Sequence, residues 1–365
     1  MLRDVALLER LLVAYGPGGQ EDDVRAVCLE ALNEHCDEVH VDRAGNVAGV
    51  IRSAHPSDPD DSIRVMAHLD EIAMIVKRIR ADGNLEVVAL GGAQPICFGA
   101  CPVEILGDEQ RLPGVLSYGS MHASQATPTG RDVLSGDVHW NDVHIVTRRS
   151  ERELQAMGVR PGTRVVLSRH WRQPFRVNDA IAAHFMDDRA PLVAAIEAAV
   201  LVRAQRGALQ QDVWFVLTTL EEESNAGAMY AAARLPGDTT LALEVGPVLE
   251  EYGTRLSADP IVNTGDQKGY YTPAVVTSLM RAARRAGYAP QAALLVDFAS
   301  DASAVMSSGI AARAGCLAIP TDNTHGFEII HERGIQACAE TLATFLLDPA
   351  LERADRSPRS NDPAR

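Results

Sequence analysis

VWFVLTTLEEESNAGA, residues 213–228, is the stretch on which the fold turns. Val213 to Leu220 is an apolar run carrying β-branched and aromatic side chains, which suits a central strand buried on both faces. It breaks directly into Glu221, Glu222 and Glu223. Three carboxylates at the mouth of a core strand repel one another unless cations or a proton compensate them; a solvated loop is the plain alternative. The same juxtaposition recurs on either side. Ile63 to Ala67 ends in His68-Leu69-Asp70-Glu71, Thr239 to Leu243 runs into Glu244, and Gly315 to Ile319 leads through Pro320 to His325. Helical patterns over Pro191 to Leu209, Pro273 to Ala286 and Glu332 to Leu347 alternate with these strands. Such alternation predicts an α/β domain, a central sheet flanked by helices on both faces.

Ahead of this region, MLRDVALLERLLVAYG reads as an amphipathic helix ending at Tyr15-Gly16-Pro17-Gly18-Gly19, and Val24, Val27, Leu29 and Leu32 mark a second one. Between residues 72 and 167 the character changes. Short β-like runs at Leu85 to Leu90, Val103 to Leu106, Gly114 to Tyr118, Val143 to Val146 and Arg164 to Leu167 are separated by turn clusters such as Asp82-Gly83-Asn84 and Arg160-Pro161-Gly162. They predict an inserted small β domain, a barrel, splitting the main domain into residues 1–71 and 168–350. The final LERADRSPRSNDPAR, residues 351–365, is charged and apolar-poor and reads as a disordered tail. At 365 residues and 46% hydrophobic content, the chain exceeds the ~250 to 300 residues at which single cores stop growing, so two domains are expected.

A net charge of -15 argues against a nucleic-acid partner, because phosphate neutralisation requires clustered Lys and Arg. No membrane partner is expected either, since no run approaches ~18 apolar residues. The opening helix carries Asp4, Glu9 and Arg10, unlike a signal peptide. Cys28, Cys36, Cys97, Cys101, Cys316 and Cys338 are scattered without a disulfide or zinc-finger spacing, which suits a cytoplasmic location with free thiols.

His68 and Asp70 lie two apart at a strand end, so their side chains project from one face, and Asp70 is placed to fix the tautomer of a ligating His68. Asp187-Asp188-Arg189 precedes a helix, where consecutive acids ordinarily cap the positive end of the dipole. Glu244 sits between Leu243 and Val245, where an unpaired carboxylate costs several kcal/mol and calls for a counter-charge. Two divalent cations bring four positive charges against three carboxylates (Asp187, Glu222, Glu244) and one hydroxide, so with His68 and His325 as terminal ligands the site is near neutral. That donor set predicts a cocatalytic pair of ions ~3.5 to 4 Å apart, with mixed nitrogen and oxygen ligation suiting zinc or cobalt, and manganese as a third choice. His122 and His184 are weaker candidates, each reading more simply as a loop or packing histidine. No Gly-x-Ser-x-Gly elbow or phosphate-binding glycine loop is evident.

Together these residues resemble the tetrahedral (TET) aminopeptidases, a family of dinuclear metallopeptidases that includes glutamyl aminopeptidases and proteins mislabelled as endoglucanases. The resemblance is carried by AHLDEIAMIVKRI (67–79), FMDDRA (185–190), TTLEEESNAGA (218–228), ALEVGP (242–247) and IPTDNTHGFE (319–328), in that order. It implies a zinc-peptidase-like fold in which His68 and Glu244 bind one metal, Glu222 and His325 the other, and Asp187 bridges. Counted back from Gly227, Glu221 takes the family's general-base position. The insertion at 72–167 corresponds to the family's lid and dimerisation domain, which implies a homodimer or a higher assembly such as a dodecamer. The implied activity is removal of N-terminal residues from peptides with a free N-terminus. Glu244 stands where the family usually has Asp, Glu223-Ser224-Asn225-Ala226 replaces a Val-Gly-x-Arg type of segment, and Gly326-Phe327 replaces Ser-Pro. The competing readings are a dinuclear-metal deacylase or carboxypeptidase-like hydrolase, for which Arg189 is the nearest carboxylate-binding candidate in sequence, and a non-catalytic assembly protein that keeps the fold.

Overall fold

The computed structural model describes residues 5–120, 122 and 138–348; the tail predicted at 351–365 lies outside them. Glu38–Val41 (β1), Val47–Ile51 (β2) and Ile63–His68 (β3) come first. Ala73–Ile79 (β4), Leu85–Leu90 (β5), Cys101–Leu106 (β6), Arg111–Ser117 (β7), His144–Val146 (β8) and Arg164–Leu167 (β9) follow. The remainder are Phe175–Val177 (β10), Ala180–His184 (β11), Val213–Thr218 (β12), Thr239–Pro247 (β13) and Ile261–Asn263 (β14). Gly265–Asp266 (β15), Gly269–Tyr270 (β16), Gln291–Ala293 (β17), Arg313–Asp322 (β18) and Phe327–His331 (β19) complete the set.

The main sheet runs β1-β2-β12-β3-β13-β18-β19-β11-β10, with β14 attached to β18 and β17 attached to β14. At its centre β12, β3, β13 and β18 are mutually parallel. Every residue of β2, β3 and β12 is buried, which is why those segments read as apolar runs without alternation. The helices Val5–Val13, Asp22–Asn33, Met186–Ala204, Pro273–Arg285 and Gly334–Leu347 bury apolar faces in the largest core cluster with Val65, Phe215, Leu241 and Leu317. Opposite them, Ala226–Ala232 and Asp301–Ser307 contribute Ala228, Ala231 and Val305 to a smaller cluster around Met66, Trp214 and Val216.

Between β3 and β10 the chain forms a closed six-stranded barrel, β4-β5-β8-β7-β6-β9. Met74, Val87, Val103, Ile105, Leu116, Ile145 and Val165 fill its own core, separate from that of the sheet. The protein is thus an α/β fold with a mixed sheet, flanking helices and a β-barrel. A buried ionic knot fastens the two parts: Glu71, just after β3, accepts from both Arg172 and Arg189. Arg172 also donates to the carbonyl of Ala14 and stacks over Phe185 at 4.2 Å, while Arg189 donates to Leu69 O at 2.6 Å. The long helix begins earlier than its sequence pattern predicts, at Met186 rather than Pro191. Asp187 and Asp188 leave helical geometry, and the peptide bond between them is cis.

Candidate metal centre

Parallel strands deliver their carboxyl ends to one edge of a sheet. β11 is antiparallel to β19, and β19 to β18, so β11 shares the direction of the four central strands. His68 ends β3, Asp187 follows β11, Glu221 and Glu222 open a helical turn just after β12, Glu244 lies within β13, and His325 occupies the turn between β18 and β19. One edge therefore gathers side chains that are up to 257 residues apart, from His68 to His325 (325 - 68 = 257).

Donor atoms of His68, Asp187, Asp188 and Glu244 lie within 4.8 Å of one another, and so do those of Asp187, Glu222 and His325. Asp187 belongs to both groups. His68 Nε2 stands 2.9 Å from Asp187 Oδ1 and 4.0 Å from Glu244 Oε2, while His325 Nε2 is 3.6 Å from both Asp187 Oδ2 and Glu222 Oε2. Glu221 Oε2 faces the same space, 4.0 Å from His68 Nε2.

Electrostatics show what this arrangement calls for. Burial first, and neighbouring carboxylates second, push Glu221, Glu222 and Glu244 well above the usual carboxylate range. At His68 burial disfavours the imidazolium, but the Asp188 charge and the bond to Asp187 outweigh it and raise the pKa. Asp187 moves the other way: burial works against its ionised form, yet the hydrogen bond and charge of His68 hold it below the ordinary value. Asp188 Oδ1 and Glu222 Oε1 are buried without a hydrogen-bond partner in the protein. Orphaned oxygens, crowded acids and two imidazoles make a donor set that divalent cations fit.

Several residues hold this cradle in place. The Asp70 carboxylate accepts from the backbone N–H of Glu221 at 2.9 Å and of Glu222 at 3.0 Å, so it fixes the helical turn that carries them. It is the Asp70 backbone carbonyl that faces His68 Nδ1 at 3.1 Å, the carboxylate standing at 3.6 Å. Asp188 Oδ2 accepts from the backbone N–H of His68. Glu328 takes the N–H of His325 on one oxygen and that of Asp187 on the other, each at 3.0 Å. Burial and the Asp187 charge lift its carboxyl to about 8 against the pull of those two N–H groups. Sequence reading overlooked Glu328, although an acid between Phe327 and Ile329 carries the same signal that singled out Glu244. Asn225, which donates to Glu221 from behind, and Asp301, which accepts from Asn225, gave no such signal.

The barrel closes one side of the site. A Cβ on Gly92 would fall 2.6 Å from the His325 ring, and one on Gly91, whose φ is +73°, 3.1 Å from Glu222 Cβ. Only glycine permits that approach of the wall to the ligands. A cavity of about 650 Å3 opens over the cradle, with Leu249, Tyr252, Phe298, Gln267, Lys268 and Asp297 among its lining. His122 sits in an exposed turn outside this lining. His184 is buried beside Phe327 at 4.8 Å and bonds Gly326 O, and Arg189 is engaged with Glu71 and Leu69.

Fold and site together define the class to which the chain is compared: an α/β sheet with a metal-type donor set at its carboxyl edge, walled by a β-barrel. Residues 45–341 match the M42 glutamyl aminopeptidase family, and the chain belongs to it. It is 28% identical over 245 residues to the lysyl aminopeptidase of Pyrococcus furiosus, a match spanning 66% of this chain and 66% of that one. A TET aminopeptidase from a marine sediment Thaumarchaeota archaeon superposes with a TM-score of 0.84 at 22% identity, covering 96% of this chain and 98% of its own. The Pyrococcus horikoshii TET1 peptidase, described as assembling into a tetrahedron or a large octahedral shell, gives 0.81 at 20% identity over 94% and 98%. Both structures share the fold.

Proposed function

We propose that the chain is a two-metal aminopeptidase, with His68 and Glu244 holding one divalent ion, Glu222 and His325 the other, and Asp187 shared between them. The observation that carries this reading is the membership of Asp187 in both donor groups. Bound divalent cations supply Lewis acidity, lowering the pKa of a water and polarising the scissile carbonyl. Glu221, which points one oxygen into the cradle without belonging to either donor group, accepts the proton of the attacking water and passes it to the leaving amine. Glu222, Glu244 and Asp187 bring the negative charge that balances the ions, and Glu328 and Asp70 keep the ligand-bearing backbone in register. Zinc, cobalt and manganese all suit the mixed nitrogen and oxygen donors.

Turnover of amino-acid anilides by metal-reconstituted protein tests the activity. Glu221→Gln is expected to retain its metal and lose ~100-fold or more in kcat. A Glu221→Gln enzyme with near-normal kcat overturns the base assignment. A deacylase or carboxypeptidase-like reaction stays as the second reading because Lys268 lines the cavity, where its ammonium suits a substrate carboxylate. Preference for N-acetylated amino acids over anilides would favour that alternative. Assembly into a homodimer or a larger shell is proposed from the behaviour named for the Pyrococcus horikoshii relative, and light scattering of the purified protein tests it. Free thiols at all six cysteines support a reducing, cytoplasmic setting.

A further inference from the structure

We infer that Asn225, locked by Asp301, is a positioning residue that aims the Glu221 carboxylate at the metal cradle. The inference rests on the proposed role of Glu221 and extends it to two residues with no assigned part. Asn225 Nδ2 donates to Glu221 Oε1 at 2.7 Å and to Asp301 Oδ1 at 3.1 Å. Both protons of the amide are therefore committed, one to each carboxylate, and the flipped amide would set its oxygen against two anions. The second Asp301 oxygen accepts from Thr218 Oγ1, at the end of β12. The chain of contacts thus runs from the sheet through Asp301 and Asn225 to Glu221. One Glu221 oxygen is held from behind while the other, Oε2, is left facing His68.

Local backbone makes this possible. Asn225 closes the turn Glu221–Ser224 and opens the helix Ala226–Ala232 with φ +54°, a left-handed conformation that asparagine tolerates better than most residues. That kink turns its side chain back over position 221, four residues earlier. Asn225 and Asp301 are 3% and 2% exposed, so the contact is largely shielded from bulk water. The amide also stands between two carboxylates that would otherwise repel each other.

Two variants separate positioning from folding. Asn225→Gly keeps the left-handed backbone and deletes the amide, and Asn225→Asp keeps the shape but puts an acceptor where the donor stood. Both are expected to lose ~10- to 100-fold in kcat, the scale of an ångström misplacement, with KM changed less than about twofold and metal content unchanged. Crystal structures of both variants add a readout independent of activity: the Glu221 carboxylate should leave its present position while His68, Asp187 and Glu244 stay in place. Retention of kcat within about threefold, or a Glu221 carboxylate unmoved in both variants, overturns the inference. A wild-type protein inactive on anilides would instead count against the aminopeptidase reading, and the crystallographic arm would still decide the role of Asn225.

Discussion

Glu328 is the residue whose replacement should weaken metal binding without removing a ligand. Its two oxygens accept the backbone N–H groups of Asp187 and His325, each at 3.0 Å, and it is 1% exposed. Glu328→Gln keeps the shape but must turn its amide nitrogen toward one of these N–H groups, placing donor against donor. A buried N–H left without an acceptor costs about 1 to 3 kcal/mol, and in the metal-loaded state, where cations favour the ionised carboxylate, exchanging it for a neutral amide at the other N–H costs about 1 kcal/mol more. The sum, about 2 to 4 kcal/mol, divides between fold stability and the placement of Asp187 and His325. Expressed wholly at the site, it weakens metal affinity by roughly 30- to 1000-fold. Since Asp187 and His325 both serve the ion proposed at Glu222, that ion should be the one lost. Calorimetric titration of chelator-treated protein measures this, with elemental analysis giving ions per chain. A Glu328→Gln protein that binds both ions with wild-type affinity would refute the clamp.

Metal loading at pH 7 should release protons, because burial holds Glu221, Glu222 and Glu244 above the usual carboxylate range until cations replace the missing charge. Titration in two buffers of different ionisation enthalpy measures the release, and a value of zero would contradict it. His184 supplies a pH effect of definite sign. Its pKa is lowered from 6.5 to about 4, first by burial, so the folded chain keeps the ring neutral while the unfolded chain protonates it. Stability is present above pH 6.5 and is lost as the pH falls toward 4, by roughly 3 kcal/mol in all. In metal-free protein His184→Gln should flatten the melting profile over that window, and an unchanged slope would count against the assignment. Arg172→Met leaves Glu71 with one buried partner of two and should cost about 3 to 5 kcal/mol, read as a lower Tm at unchanged barrel strand content.

Much of this architecture was legible because the central strands are buried on both faces and so announce themselves as apolar runs. Val213 to Leu220, Thr239 to Leu243 and Gly315 to Ile319 all fall within observed strands, apart from the last two residues of the first. Their polar interruptions, Glu221, Glu222 and Glu244, stood out for the same reason. β11 did not: Ala180–His184 is mostly small residues, with neither alternation nor β-branched enrichment. β14 and β17 are three residues each, too short for a period to register; they exist by pairing with each other, and β14 also with β18. Asn225 was invisible for a different cause. Its role needs a left-handed backbone and a partner 76 residues away, and neither leaves a local trace in composition.

The acids at the sheet edge divide by what their oxygens already hold. Asp70 and Glu328 each use both carboxylate oxygens on backbone N–H groups, and Asp188 uses one of its two. Glu222 and Glu244 receive no such bond from the backbone among the described residues and turn toward the cradle instead. Asp187 does likewise, its oxygens engaged with the imidazoles of His68 and His325. An acid whose oxygens already accept peptide N–H groups has its lone pairs committed to the backbone, whereas one facing only other acids is compensated by a cation or by a proton. Asp70 and Glu328 therefore set where the donors stand, and the cradle-facing group sets what they hold. Substitutions in the first group should displace ligands while keeping their chemistry, and those in the second should change metal stoichiometry while leaving the backbone still.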